Sequence, residues 1–173
     1  MIPGRGDARA VVPERRHWPV RMHEGQVDLS TEVMAGLVTD QFPEWRDRAV
    51  VRVRSRGTVN ALFRLGADLV LRFPLVPSRT TGHRAKLSNE QRHARMIATR
   101  VPVEVPKPVA LGEPGPGYDG PWSVYRWIEG ATADGEAVAD QVRLANDLAG
   151  FVRALHAVDT DGRLWVAAWP TYP

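Results

Sequence analysis

The side chains with catalytic potential in this sequence are few and scattered. His156 and Asp159 lie close together in the chain, and such a spacing could suggest an acid/base pair. His83 and His93 stand on a polar face and are too widely spaced to form a metal site by themselves. The sequence contains no Cys, which excludes a thiolate zinc site, a disulfide framework and a cysteine nucleophile.

A glycine-containing turn is the segment that could approach a phosphate group. It reads Ser55-Arg56-Gly57-Thr58-Val59-Asn60 and joins two strand-like stretches. Glycine lets the main chain come close to a ligand because it has no side chain. With a single glycine, however, the motif alone favours an ordinary hairpin turn. No Gly-x-x-x-x-Gly-Lys-Ser/Thr sequence occurs, so the chemistry of P-loop enzymes is excluded.

Alternating and helical patterns outline the elements that would position these residues. A first helix, capped by Asp28 or Ser30, ends at Pro43. Three strands follow, with a tight hairpin at Gly66-Ala67-Asp68, and a second helix separates them from two later strands and a long third helix. The predicted strands are Ala49 to Ser55, Thr58 to Leu65, Leu69 to Phe73, Val109 to Gly112 and Trp122 to Ile128, and the later helices span about 84–99 and 136–158.

This order of elements predicts an α+β fold. It consists of a five-stranded antiparallel sheet with one helix inserted between the third and fourth strands. The crossover helices that a parallel sheet requires are missing, which argues against a Rossmann-type domain.

Four segments, taken in order and spacing, resemble the aminoglycoside phosphotransferase family, whose fold is protein-kinase-like. They are 57–66 (GTVNALFRLG), 69–74 (LVLRFP), 121–130 (PWSVYRWIEG) and 151–159 (FVRALHAVD). The resemblance covers roughly residues 22–159, which would be the small lobe of that fold and the first helix of its large lobe. It implies a kinase that uses ATP and Mg²⁺ to phosphorylate a hydroxyl group of a small molecule such as an antibiotic.

The resemblance implies that one face of the sheet contacts phosphates. Kinases place a Lys on the third strand, where it contacts the α- and β-phosphates and pairs with a Glu of the next helix. The matching residues are Arg72 and Glu90, and the forked donors of an arginine can still bridge phosphate and carboxylate. The alternative for Arg72 is a surface residue on an exposed strand. Gly57, Thr58 and Asn60 match the turn that covers the phosphates.

The last strand resembles the family's interlobe hinge, in which main-chain groups bond the adenine ring. The matching residues are Tyr125, Arg126, Trp127 and Ile128. Main-chain bonding leaves little side-chain signature, so this assignment depends on the fold. The alternative is an edge strand with aromatic packing.

The family's catalytic residues have no counterpart in this sequence. The family's catalytic loop reads His-Gly-Asp followed by Asn, with a later Asp for the metal, and none of these motifs occurs. We therefore assign no catalytic and no metal-binding residue, and the resemblance assigns His156 to packing and capping. We expect a truncated kinase that is inactive alone, whether it is a gene fragment, a frameshift product or a genuine short protein.

Composition divides the chain into four parts. Residues 1–21 form a basic extension that we expect to be disordered, and residues 22–130 form the nucleotide-binding lobe. Residues 131–160 contain the first helix of the large lobe, and residues 161–173 are an unpatterned tail.

Charge and hydropathy narrow the possible partners. A net charge of +3 and a pI of about 9.8 leave a nucleic-acid-binding protein as an alternative, but the basic residues are scattered among acids, so we expect no nucleic-acid partner. No apolar run approaches the roughly 20 residues of a membrane span, and we expect a cytoplasmic protein without a membrane partner. The expected partners are a nucleotide and, where a large lobe is present, a small-molecule acceptor. A non-catalytic nucleotide- or partner-binding module is the other alternative.

Overall fold

A five-stranded antiparallel sheet forms the centre of the structure. The computed structural model describes residues 23–55, 57–131 and 138–159. Within these ranges the strands are β1 (Val50–Val53), β2 (Asn60–Leu65), β3 (Leu69–Pro74), β4 (Pro108–Gly112) and β5 (Trp122–Arg126), in the spatial order β1-β2-β3-β5-β4. The helices are α1 (Thr31–Gln41), α2 (Thr81–Ala98) and α3 (Gln141–His156), with a short 3-10 turn at Pro43–Trp45. The predicted α+β fold, with a helix between the third and fourth strands, is confirmed.

The helix starts follow from their capping residues. Ser30, one of the two predicted caps, accepts a hydrogen bond from the Val33 amide. Thr80 caps α2, which therefore begins three residues before its predicted start at 84. Asp140 caps α3, while the predicted start of that helix near 136 lies outside the described residues.

One face of the sheet packs against α1 and holds the hydrophobic core. Register pairs Phe63 with Leu71 and Leu71 with Val124, so these side chains share one face. On α1 the buried residues are Met34, Leu37 and Val38. Alternation along β2 and β3 thus directs a continuous apolar surface toward one helix, as the sequence pattern predicts.

Trp122 occupies the middle of this core and makes glycine necessary in the neighbouring strand. Its indole is fully buried and stacks on Phe73 with 4.8 Å between ring centroids. The indole N–H donates to the Glu113 carbonyl over 3.1 Å. Gly112 lies opposite Trp122, and a Cβ added there would come within 2.0 Å of the indole. The close approach of the ring to the main chain therefore excludes a side chain at this position.

The third helix stands apart from the core. None of its residues is buried, and Val142, Leu148 and Val152 are 73%, 54% and 46% exposed. The predictions for residues 1–21 and 161–173 lie outside the described residues. In the part of the chain that the structure describes, no helix combines the length and apolarity that crossing a bilayer requires.

Candidate functional site

The face of the sheet opposite the core carries the predicted phosphate-binding arginine. Register places Leu62 beside Arg72, and Arg72 beside Ser123, on this second face. Two residues along these strands, Val70 and Tyr125 are paired on the same face. We call this surface, formed by Val51, Val53, Leu62, Arg64, Val70, Arg72, Ser123 and Tyr125, the open face. On this face Val70, Ser123 and Tyr125 are buried, whereas Val51, Val53 and Leu62 are exposed or half-buried and could contact a flat ring. The half-buried Arg72 could contact an anion.

Arg72 and Glu90 form an ion pair at this face, as the sequence predicts. The distance from Arg72 Nη1 to Glu90 Oε1 is 2.7 Å, and the two side chains are 30% and 40% exposed. The guanidinium also lies over the Tyr125 ring, 5.2 Å from its centroid. A guanidinium has five N–H donors and this pair uses one of them, so the fork keeps donors for an oxyanion. The role of Arg72 in binding a nucleotide stays a prediction.

The pKa of the Tyr125 hydroxyl is affected by both members of this pair. Burial raises the pKa of the Tyr125 hydroxyl, the Glu90 carboxylate adds to that rise, and the Arg72 cation opposes it. The net direction is upward, so Tyr125 is neutral near pH 7. Since Tyr125 is only 2% exposed, its uncharged ring packs against the Arg72 guanidinium and adds no negative charge beside it.

Two residues of α2 hold Glu90 in place. Leu87 is buried, and Gln91 is only 3% exposed. The Gln91 side-chain amide donates to the Ala110 carbonyl of β4 over 2.7 Å. Since Gln91 follows Glu90 directly, this bond sets the rotation of the helix that presents Glu90 to Arg72. The role of Gln91 was not predicted from the sequence. The one feature of the sequence that indicates burial of Gln91 is its position one helical turn after Leu87.

The predicted phosphate-covering turn is described apart from residue 56. The Gly57 amide donates to the Ser55 hydroxyl over 2.9 Å. A Cβ on Gly57 would meet only that hydroxyl, at 3.1 Å. The Thr58 carbonyl contacts His23 Nε2 at 3.1 Å, and Asn60 opens β2. A side chain at this position would thus meet little of the described protein, and the role of Gly57, Thr58 and Asn60 in covering phosphates stays a prediction.

The predicted hinge is already partly bonded within the protein. Tyr125 is buried, Arg126 is exposed, and Trp127 and Ile128 are half-buried. The Arg126 amide donates to the Lys107 carbonyl over 2.8 Å, and the Trp127 amide donates to the Asp68 carbonyl over 2.9 Å. These two donors are therefore not available to an adenine ring. Binding of a base by main-chain donors would fall to Ile128 and the residues after it.

The described residues offer no site for a magnesium ion. Among them, no group of three or more His, Asp or Glu side chains converges as metal binding requires. The Arg72–Glu90 pair supplies one carboxylate, and the cation beside it opposes a divalent metal at that carboxylate. The described residues therefore do not fit a resident metal.

A surface cavity of about 400 Å³ lies on the other side of the sheet, between α1 and the loop that joins β4 to β5. Glu32 and Asp40 are among its lining residues. Two carboxylates disfavour phosphate, and the cavity lies away from Arg72. It therefore takes no part in the candidate site.

Comparison with known proteins agrees with the fold. The model of the phosphotransferase enzyme family matches residues 50–172. The GDP complex of wild-type aminoglycoside 2'-phosphotransferase-IIIa is 26% identical with a TM-score of 0.62, over 77% of this chain and 44% of that one. The GDP and kanamycin complex of APH(2")-IIia is 25% identical with a TM-score of 0.60, over 75% of this chain and 43% of that one.

A more distant structure shares the fold alone. The streptomycin–ATP–APH(2")-IIa ternary complex is 18% identical with a TM-score of 0.51, over 78% of this chain and 42% of that one. The chain thus spans less than half the length of each of these structures. No curated protein sequence matches it.

Proposed function

Because the chain belongs to the phosphotransferase enzyme family, we propose that its open face binds ATP in a kinase of small molecules. In the whole protein the γ-phosphate would pass to a hydroxyl group of a small-molecule acceptor such as an antibiotic. The observation that carries the proposal is the Arg72–Glu90 ion pair, which presents a guanidinium beside an apolar and aromatic surface. The solved structures that resemble this chain include complexes with GDP and with ATP.

Each part of the open face has a role in this proposal. Arg72 contacts the phosphates while Glu90 restrains its rotation, which reduces the entropy lost when a ligand binds. Gly57, Thr58 and Asn60 cover the phosphates, and the main chain after Trp127 contacts the purine. Phosphoryl transfer depends mainly on such positioning and on charge neutralisation, so these contacts prepare the triphosphate for reaction.

The remaining parts of the reaction are not supplied by the described residues. The family uses Mg²⁺ with its nucleotide, yet no set of ligands for that ion converges in the described part of the chain. The sequence also has no His-Gly-Asp motif to orient an acceptor hydroxyl. A polypeptide of these 173 residues is therefore expected to bind nucleotide without turnover.

Calorimetric titration of ATP into the wild-type protein and an Arg72→Ala variant tests the proposal. Loss of a charge-assisted hydrogen bond worth about 1.5–3 kcal/mol should weaken binding by roughly 10- to 100-fold. Arg72→Lys should recover part of the affinity because it restores the charge without the fork. The matched control is Arg79→Ala, which removes an arginine from an exposed ion pair with Asp119. Equal ATP affinity in all four proteins would contradict the proposal.

Thermal unfolding with and without ATP provides a second readout. A ligand at about a hundredfold excess over its dissociation constant stabilises the folded state by about 2.7 kcal/mol. The stabilisation should appear in the wild-type protein and be reduced in Arg72→Ala.

The second candidate is a non-catalytic nucleotide-binding module, in which the Arg72–Glu90 pair would serve equally well. Stabilisation by ATP without release of phosphate would support it. Magnesium-dependent ATP consumption stimulated by an aminoglycoside would instead show that the polypeptide is an active kinase.

A further inference from the structure

We propose that the turn between β2 and β3 positions the segment 126–129 for binding the purine of a nucleotide. This inference rests on the proposed function, and it assigns positioning roles to Arg64 and Asp68. We call the contacts of these two residues with 126–129 the hairpin clamp. Neither residue is expected to touch the nucleotide.

Segment 126–129 needs support because the sheet ends where it begins. The β3–β5 ladder stops at the pair of Leu69 with Arg126, and β5 ends at Arg126. On its other side, β5 is last paired with β4 at Pro108 and Tyr125. Beyond Arg126 the chain therefore leaves the ladder that fixes its neighbours.

Asp68 supplies the first half of the clamp. Its carbonyl accepts the Trp127 amide over 2.9 Å, which extends the main-chain bonding one residue beyond the strand. Its carboxylate forms ion pairs with Arg126 and with Arg48. Asp68 thus bonds the segment through both its main chain and its side chain, and it links the segment to the chain just before β1.

Arg64 supplies the second half of the clamp. Its guanidinium lies over the Trp127 ring, 4.6 Å from the ring centroid, and forms an ion pair with Glu129. It also donates to the Ala67 carbonyl over 2.6 Å, so the arginine is itself held by the turn. Stacking under Arg64 therefore helps to orient this ring.

The turn is well suited to act as a rigid support. Gly66 has a φ of 60°, which glycine adopts without strain, and its amide donates to the Ala49 carbonyl over 2.9 Å. The turn is thus fixed both to the residue just before β1 and to the segment after β5. Contacts between residues that are 58 and 65 positions apart in sequence converge on one short stretch of main chain.

The clamp determines which main-chain groups face a ligand. The Asp68 carbonyl fixes the peptide plane of the Trp127 amide, and the contacts of Arg64 with Trp127 and Glu129, on either side of Ile128, restrict the direction of the Ile128 amide. A constrained donor loses less entropy when it bonds a base. The phosphates contact Arg72 instead, on another part of the open face, so the clamp should affect the purine and not the triphosphate.

Binding of two ligands to two variants separates these roles. Arg64→Leu keeps an apolar stem over Trp127, and Asp68→Asn keeps the main-chain carbonyl while removing the charge. Each should weaken ATP binding by about three- to fivefold, the scale of an exposed ion pair. Binding of inorganic tripolyphosphate, which has no purine, should be unchanged. Asp119→Asn is the control, because it removes an exposed carboxylate from an ion pair with Arg79 that does not contact the segment.

A loss that is equal for ATP and tripolyphosphate would overturn the inference, as would unchanged ATP binding in both variants. Amide hydrogen exchange gives an independent readout in the absence of nucleotide. Exchange at residues 127–129 should be faster in both clamp variants, with core amides of β3 unchanged. Failure of ATP to bind the wild-type protein would refute the proposed function. The exchange rates would still test the hairpin clamp, and unchanged rates at residues 127–129 would overturn it.

Discussion

Substitution of Gly112 by Ala places one methyl group against the fully buried indole of Trp122. The added Cβ would lie 2.0 Å from Trp122 Cε2 and 2.4 Å from both Cζ2 and Nε1. Optimal contact between carbon atoms is about 3.5–4.0 Å, so the indole would have to move by about 1.5 Å. It has no free space for this movement, because it stacks on Phe73 and lies edge-on to Phe42.

The expected destabilisation follows from these contacts. Insertion of a methyl group into a well-packed core typically costs about 1–3 kcal/mol. Movement of the indole also breaks its hydrogen bond to the Glu113 carbonyl, which adds about 1 kcal/mol. Together these effects should lower the free energy of unfolding by about 2–4 kcal/mol. This is a large fraction of the stability of an ordinary domain.

Urea denaturation followed by tryptophan fluorescence measures this change. The matched control is Gly36→Ala, since a Cβ on Gly36 in α1 meets no atom within 4 Å. Replacement of a helical glycine by alanine should raise the free energy of unfolding by about 0.5–1 kcal/mol. The two changes add the same methyl group with opposite expected signs. Equal stability of Gly112→Ala and the wild-type protein would refute the packing argument.

Three further predictions concern the turn, a buried hydroxyl and the acid range. Gly57→Ala should weaken ATP binding in calorimetry by about tenfold, because a Cβ displaces the phosphates. The same change should alter the free energy of unfolding by less than about 0.5 kcal/mol. An ATP affinity equal to that of the wild type would show that Gly57 is not part of the site. Tyr118→Phe deletes the hydrogen bond to the Pro74 carbonyl and should cost about 1 kcal/mol in urea denaturation, unless the carbonyl finds another donor. Burial raises the pKa of the Asp68 carboxyl, but Arg48 and Arg126 together outweigh this effect, so the pKa is lowered overall. Hydrogen bonds from Arg64 and then Trp127 lower the pKa of the Glu129 carboxyl. Their stabilising effect is therefore complete above the ordinary carboxyl pKa values of 3.8 and 4.5 and is lost as pH falls through the lower folded values. A double Asp68→Asn, Glu129→Gln variant should show a smaller loss of melting temperature on acidification, and a slope equal to that of the wild type would contradict this account.

Periodicity in the sequence was sufficient to predict the five strands, although β1, β2 and β5 are shorter than predicted. Along β2, buried and half-buried residues alternate from Asn60 to Leu65, and the apolar residues that produce this alternation are visible in the sequence. Gly66 likewise predicted the hairpin, because a φ of 60° favours glycine. These signals are local, and each depends on a few neighbouring residues.

The parts that the sequence did not predict depend on distant partners. Gln91 bonds Ala110, and His23 bonds the Thr58 carbonyl, yet no local pattern indicates either partner. The support of segment 126–129 by Asp68 was missed for the same reason. The Arg72–Glu90 pair was predicted only because a family resemblance supplied the partner, and the nucleotide role of that pair is still a prediction.

The bond from Gln91 also has a consequence for aggregation. β4 is an edge strand, and an edge presents unpaired main-chain groups to which a strand of another molecule can add. Here the Gln91 amide occupies the Ala110 carbonyl, Pro108 has no N–H to donate, and the register shifts between Pro108 and Ala110. A foreign strand would therefore meet an irregular edge with one acceptor already used. Gln91, which follows Glu90 on α2, thus also helps to prevent this edge from pairing with a neighbouring molecule.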